Sequence, residues 1–399
     1  MNLHRTTFTS GADLVERARS LSELITSEAE ASDKAGTMTD RVYQALSDAD
    51  LFWVLVPQSL GGLQSDLLTC LSVWEEISRA DGSAGWSLMA NSTGTAVAAG
   101  FCSDEAVEEM FGGDRKPIMA GMLGPGGTCV EVDGGYRGSG KYKFGSGSLH
   151  ASWLGAGMLI QDGEGIRKHP DGSPQVRVMF VPRDKVAFKS NWDVLGLTGT
   201  GSVDYDLPDV FVPAGNSLER TDVQSRRDWQ IYNVGIAGLA CAGHTGVALG
   251  LMKRALEEIT TIAFGRKRPA YQTVLGEHPV FRHDFAYHEA QYRAARAFTF
   301  DVYRDAQETI ARGETLTAAQ RMRFRQNVIY THRVASEVVT FCYVQGGSDS
   351  LRNPSALGRC MRDMHAATQH IFVDTNAMVD VATPIIAEWR DRTLTGLPH

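Results

Sequence analysis

The chain has 399 residues, 43% hydrophobic and 22% charged, the balance of a soluble globular protein of two or three domains. Its 39 Lys plus Arg against 47 Asp plus Glu leave a net charge of -8. That disfavours a nucleic-acid partner, whose binding rests largely on neutralising phosphates. The N-terminal stretch MNLHRTTFTSGADLVERARS lacks an apolar signal core, and no window offers the ~18 uninterrupted apolar residues of a membrane span. Six scattered cysteines (Cys70, Cys102, Cys129, Cys241, Cys342 and Cys360) form no CxxC pair. They are expected to be reduced, mostly buried thiols in a cytoplasm.

Residues 1–116 are predicted to be helical. Leu14, Ala18, Leu21, Leu24 and Ile25 recur at helical spacing, and Val42, Ala45 and Leu46 form a second stripe. The stretch from Asp48 to Gly62 stops a helix, passes Pro57 and ends in a glycine pair. Helical patterns resume over 64–80, 84–101 and 103–112. Residues 117–225 form the next region, in which glycine is dense up to about 215. There, Thr128–Val132, Arg137–Phe144, Val176–Val181 and Val203–Val212 are short alternating runs that predict strands. Asp133-Gly134 and Asp171-Gly172 are hairpin-turn pairs. Residues 226–399 are helical again, with segments 229–264, 279–309, 316–346 and 354–389. Their lengths suit an antiparallel four-helix bundle.

Several motifs fail on inspection. GYRGSGKY (135–142) is nearly a phosphate-binding loop, but Tyr142 stands where that motif needs a Ser or Thr hydroxyl beside Mg²⁺, and the run continues as a strand. No GxGxxG opens a helix, and there is no HExxH. His278, His283 and His288 are five apart, a rotation of about 140° along a helix, so they do not share a metal-binding face. His365 and His370 have the same spacing. No metal site is expected.

Four segments, in this order, carry a resemblance. They are DLFWVLVPQSLGG (50–62), VEVDGGYRGSGKYKFGSGSLHASW (130–153), WDVLGLTGTGSVDYDLPDVFVP (192–213) and YVQGGSDSLRNPSALGRCMRDMHAATQH (343–370). With the helix–β–bundle order, they resemble the acyl-CoA dehydrogenase superfamily over nearly the whole chain. The resemblance implies an α+β fold: an N-terminal helical domain (1–116), a central β domain (117–225) and a C-terminal four-helix bundle (226–399).

Departures from the dehydrogenase pattern are informative. Such an enzyme needs a carboxylate base over the flavin. The usual Glu position falls on Ile371 and the alternative one near Ala240, neither of which can take a proton. His370 stands one residue before the expected Glu. With FGSG at 144–147 and RDMH at 362–365, the chain resembles the two-component flavin monooxygenases built on this fold. That implies reduced FMN or FAD as co-substrate, O₂, a separate flavin reductase, a small, largely apolar aromatic or polycyclic substrate, a flavin C4a-hydroperoxide and a homotetramer.

The resemblance also implies residue roles. Ser146 lies where a hydroxyl sits beside flavin N5, and His370 where a histidine sits near the flavin edge and substrate. Both are candidate catalytic residues. Met122, Gly124, Phe144, Gly147 and Trp153 would hold the ring system, with Arg266 on the phosphate. The Gln345-Gly346-Gly347 turn would approach the flavin of a neighbouring subunit. Trp86, Asn91, His244 and Ile371 would line the substrate space.

Plainer readings stand beside these. Ser146 suits turn chemistry, His370 a cap or core position, and His365 a helix end. Asp374, four residues on, would share a helical face with His370, or be solvated. The small-residue run GIAGLACAGHTGVALG (235–250) suits close helix packing, or room for substrate beside His244. Arg266, Lys267 and Arg268 suit a phosphate or a solvated loop. Rival functions are an acyl-CoA dehydrogenase with its base elsewhere, such as Glu337 or Glu289, and a non-catalytic relative.

Overall fold

The computed structural model describes residues 10–113, 116–221, 224–265, 267 and 272–395. Six helices come first: α1 (Gly11–Ser20), α2 (Ser22–Ala35), α3 (Asp40–Asp48), α4 (Leu67–Ala80), α5 (Gly82–Phe101) and α6 (Asp104–Phe111). Their starts follow from capping chemistry. Ser10 and Asp13 make a reciprocal capping box on α1, Asp66 accepts from Thr69 N at 3.0 Å, and Asp81 accepts from Ala84 N at 2.9 Å. Of the residues in α5, only Ala90 is not buried. This helix therefore shows no amphipathic stripe.

The central region is one mixed eight-stranded sheet. Its strands are β1 (Met119–Val132), β2 (Gly135–Tyr142), β3 (Trp153–Asp162), β4 (Gly165–Ile166), β5 (Val176–Pro182), β6 (Ala187–Phe188), β7 (Tyr205–Pro213) and β8 (Ser217–Glu219). The order is β6-β7-β2-β1-β3-β5-β8, with β4 on β3. The Asp133-Gly134 pair closes the β1–β2 hairpin, Gly134 at φ 77°. Only β1 and β3 run parallel, and their register slips twice between Met122 and Gly127. Tyr205 pins this irregularity: its hydroxyl donates to Gly155 O at 2.6 Å and accepts from Met122 N at 2.7 Å.

The last region contains α7 (Gly235–Gly265), α8 (Pro279–Ala311), α9 (Ala318–Gly346), α10 (Ser348–Leu351), α11 (Ala356–Ala367) and α12 (Met378–Thr395). The expected helix over 354–389 is broken. Local side-chain bonds outcompete the helical ladder there. Thr368 donates to His365 O at 2.6 Å, His370 Nδ1 accepts from Phe372 N at 3.2 Å, and Asp374 accepts from Asn376 N at 3.0 Å. His370 and Asp374 thus share no helical face, and the exposed Asp374 carboxylate caps a turn.

The small-residue run on α7 brings helices into close contact. A Cβ at Gly250 would lie 2.4 Å from Glu75 O, and one at Gly246 would lie 2.9 Å from Trp74 Cβ. Both glycines let α7 settle against α4. Gln230–Gly265 is the one described segment apolar and long enough to cross a membrane, and 89% of its most apolar window is buried in the fold. N-terminal and C-terminal helices share one apolar core, with Trp74, Leu88, Leu249 and Val338 all fully buried.

Candidate active site

The site is assembled where three parts of the chain meet at Trp86. The turn at 144–147 comes from the sheet. Phe144 and Gly147 adopt left-handed φ values of 61° and 68°, a conformation that costs a non-glycine residue energy and marks a constrained turn. Asn91, fully buried on α5, reaches the carbonyls of Met119 at 3.0 Å and Gly147 at 3.5 Å. It is a brace for this turn, with no open face toward a substrate.

Ser146, half-buried, heads a chain of hydroxyls. Trp86 Nε1 donates to Ser146 Oγ at 3.0 Å. Ser146 and Ser202 Oγ are 2.7 Å apart, Ser202 and Thr200 are 2.7 Å apart, and Thr200 Oγ1 donates to Leu197 O at 2.7 Å. The Leu197 turn, at φ 56°, is tied to α11: its N–H donates to Asp363 Oδ1 at 2.6 Å.

On the other side of Trp86 lie histidines. Its ring centroid is 4.7 Å from His244 and 5.8 Å from His370, and the two imidazoles are 4.0 Å apart. Phe372 closes the group, 5.3 Å from His370 and 5.8 Å from His244. His332, fully buried on α9, stands 6.4 Å from His244.

Tautomers follow from partners. His370 Nδ1 accepts the Phe372 N–H, so the neutral ring carries its proton on Nε2. His332 Nδ1 donates to Val328 O at 2.8 Å, leaving Nε2 bare. Burial pushes His332 down to about 4. Burial, with the His332 and Arg325 charges, does the same to His370. Burial, then His370 and His332, holds His244 well below the usual histidine range. His370 is therefore a neutral hydrogen-bond donor at pH 7. No three metal-ligating groups cluster among the described residues.

The other expected site residues sort by position. Met122 and Gly124 sit half-buried at the β1 irregularity, and Trp153 opens β3. Phe144 is 59% exposed and meets Trp192 edge-on at 6.3 Å. Gln345 and Gly346 end α9, with Gly347 at φ 60°. Ile371 is 72% exposed and faces outward in this chain, contrary to a lining role, because its turn presents His370 and Val373 inward instead. Arg266 and Arg268 lie outside the described residues. His365 bonds Thr340 Oγ1 at 3.0 Å near the end of α11. Glu289 pairs with Arg293, and Glu337, 46% exposed, accepts from Gln291 at 3.1 Å.

Sequence reasoning missed Thr200, Ser202, His332 and Phe372. The first two lie in the quoted GTGS stretch, but only folding shows that their hydroxyls join Ser146. His332 carries no local signal within a long helix.

The donor set fits a flavin. An isoalloxazine ring needs flat apolar walls, a polar group at its reactive edge and little water. Here Trp86 and the exposed Phe144–Trp192 pair offer walls, and Ser146 Oγ has one lone pair uncommitted. No carboxylate hydrogen-bonds or stacks with Trp86, Ser146 or His370 among the described residues.

Two buried acids lie behind the Leu197 turn. Burial and the nearby Asp81 push Asp363 up to about 8, and burial pushes Asp81 up to about 6. The sign of the resulting pH dependence is fixed. From about pH 4 to 6.5 the buried histidines, neutral in the fold, make stability rise with pH. Asp363, with an ordinary value of 3.8, binds more protons folded than unfolded, so its contribution falls from about pH 4 to 8. Above pH 6.5 the falling limb from Asp363 remains, joined toward pH 8.5 by the buried cysteines, whose thiols burial pushes up. Asp363→Asn keeps an acceptor for Leu197 N–H and should flatten that limb. Urea midpoints at about pH 6.5 and pH 8.5 check this: between them the parent should lose on the order of 2 kcal/mol more than the variant.

The chain matches the family models described as acyl-CoA dehydrogenase, N-terminal domain, over residues 13–112 and acyl-CoA dehydrogenase, C-terminal domain, over residues 242–375. It is 29% identical over 341 residues to indole-3-acetate monooxygenase of Pseudomonas putida, covering 86% of this chain and 85% of that one. The HsaA monooxygenase structure from M. tuberculosis superposes with a TM-score of 0.84 at 24% identity, covering 98% of both chains. XiaF from Streptomyces sp., solved in complex with FADH2 and glycerol, gives a TM-score of 0.83 at 20% identity over 97% of this chain and 96% of that one. The chain belongs to the acyl-CoA dehydrogenase superfamily, in the branch whose relatives are flavin-dependent monooxygenases.

Proposed function

We propose that the chain is the oxygenase component of a two-component flavin monooxygenase. The observation that carries this is the junction at Trp86, with a hydroxyl on one side, a neutral histidine on the other and no carboxylate between. Reduced FMN or FAD, delivered by a separate flavin reductase, supplies the electrons when bound: substrate C–H, O₂ and reduced flavin give C–OH, water and oxidised flavin. Ser146 meets the ring edge. His370 directs its Nε2–H at the oxygen being transferred or at a polar group on the substrate. Trp86, His244 and Phe372 form an aromatic wall that excludes water. That wall suits a small aromatic or polycyclic substrate, in keeping with the name of the Pseudomonas putida relative. We place the reaction in the cytoplasm, where the six buried free cysteines stay reduced.

The test supplies chemically reduced flavin, O₂ and a panel of phenols and indoles. Oxygen uptake with product formation is expected only when the flavin arrives reduced. Bleaching of bound flavin by an acyl-CoA would overturn the reading in favour of a dehydrogenase. Glu289 and Glu337 are poor bases for that rival, since both are engaged in surface pairs.

We propose further that the chain works as a homotetramer. Val379, Ile386 and Trp389 of α12 are 75%, 65% and 50% exposed and lie along one face, an apolar surface that water does not favour. Light scattering should give four times the chain mass, and Ile386→Asp should lower it. A monomer that still binds flavin would contradict this.

A further inference from the structure

The hydroxyls behind Ser146 can be assigned proton by proton. A carbonyl oxygen only accepts, so the 2.7 Å bond to Leu197 O consumes the single proton of Thr200. Ser202, 2.7 Å from Thr200, must then donate to it. That spends the Ser202 proton, so Ser146, 2.7 Å from Ser202, must donate in turn. The Trp86 indole N–H fills one Ser146 lone pair. What remains on Ser146 Oγ is one lone pair and no proton.

Little can reverse this chain. Thr200 and Ser202 are 1% and 2% exposed, so no bulk water offers another route for their protons. Leu197 is fixed by its N–H to Asp363, and Gly147 N donates to Thr200 O at 3.0 Å, coupling the two turns.

We infer that Thr200 and Ser202 are a polarity lock that makes Ser146 an acceptor and so selects reduced over oxidised flavin. This rests on the placement of Ser146 at flavin N5 proposed above. Reduced flavin carries a proton on N5 and can donate to the free lone pair. Oxidised flavin presents a bare N5, and two acceptors then face each other without a proton between them. The lock would admit the flavin that the reductase delivers and favour departure of the spent form. Thr200 and Ser202 act through Ser146 and are positioning residues.

The experiment is anaerobic titration of the full-length protein with reduced FMN and, separately, oxidised FMN, followed by quenching of protein fluorescence. The parent is expected to bind reduced FMN at least about tenfold more tightly. Ser202→Ala frees the Ser146 proton, and Thr200→Val frees that of Ser202, so both should bring the ratio within about threefold of unity, chiefly by tightening the oxidised form. Thr200→Ser keeps the hydroxyl and should keep the ratio, which a merely structural role for Thr200 would not require. Ser202→Ala is nearly isosteric and carries the test if Thr200→Val fails to fold. An unchanged ratio in the folded variants would overturn the lock while leaving flavin binding intact. Failure of the parent to bind either form of FMN, and of FAD in the same titration, would overturn the flavin reading and the lock together.

Discussion

His370→Ala should lower the yield of oxygenated product at least about 100-fold while reduced flavin still binds. The imidazole has a fixed donor atom facing the substrate side of Trp86, because Phe372 N–H occupies Nδ1 and leaves the proton on Nε2. Loss of one preorganised donor costs about 3 kcal/mol at the transition state. Truncation also removes a ring packed 4.0 Å from His244 and opens the aromatic wall to water. Electrons should then leave as hydrogen peroxide, so peroxide rises as product falls. The pH profile separates this role from a titrating base: with His370 held down to about 4, the neutral form is lost only as pH falls toward that value, and activity should hold through pH 6.5. A full rate in His370→Ala would remove the residue from the chemistry.

Ser146→Ala should cut the fraction of electrons recovered in product about tenfold or more, with the balance as peroxide. The substitution deletes the contact at the flavin edge and strands two neighbours. Trp86 Nε1, on a residue 7% exposed, loses its acceptor, and Ser202 loses its donor. A buried group left unpaired costs about 1–3 kcal/mol, so the variant should also unfold at lower urea. Ser146→Thr keeps a hydroxyl and should recover most of the coupling. Product and peroxide measured in one reaction decide the matter. If Ser146→Ala couples as well as the parent, Ser146 is a turn residue only.

Much of the architecture is legible before folding, and the exceptions have physical causes. The segments read as 229–264, 279–309 and 316–346 fold as α7, α8 and α9, because long apolar periodicity and end signals agree, as in the Thr317–Gln320 capping box. The strand Trp153–Asp162 escaped notice. Its residues WLGAGMLIQD do not alternate, since β3 lies inside the sheet with β1 parallel on one side and β5 antiparallel on the other. The break after Ala367 was hidden because capping bonds by Thr368, His370 and Asp374 have no periodic signature.

The site divides the same way. Ser146 and His370 stood out through the motifs around them, and both come to Trp86. Asn91 looked like a pocket residue, but it is fully buried and its Nδ2 donates to the Met119 and Gly147 carbonyls. Ile371 was expected to line the substrate space from its place in the resemblance, but the break in the helix turns it outward, 72% exposed. The Ser146–Ser202–Thr200 chain could not be read at all, because it depends on two turns more than fifty residues apart coming within hydrogen-bond distance.

The central claim is that one flavin lies where these three segments meet. A crystal structure grown anaerobically with reduced FMN measures this directly. The expected result is the isoalloxazine against Trp86 and Phe144, with N5 within hydrogen-bond distance of Ser146 Oγ and His370 Nε2 facing the open side of the ring. A flavin seated elsewhere, or a glutamate carboxylate poised over the ring where His370 is expected, would contradict it.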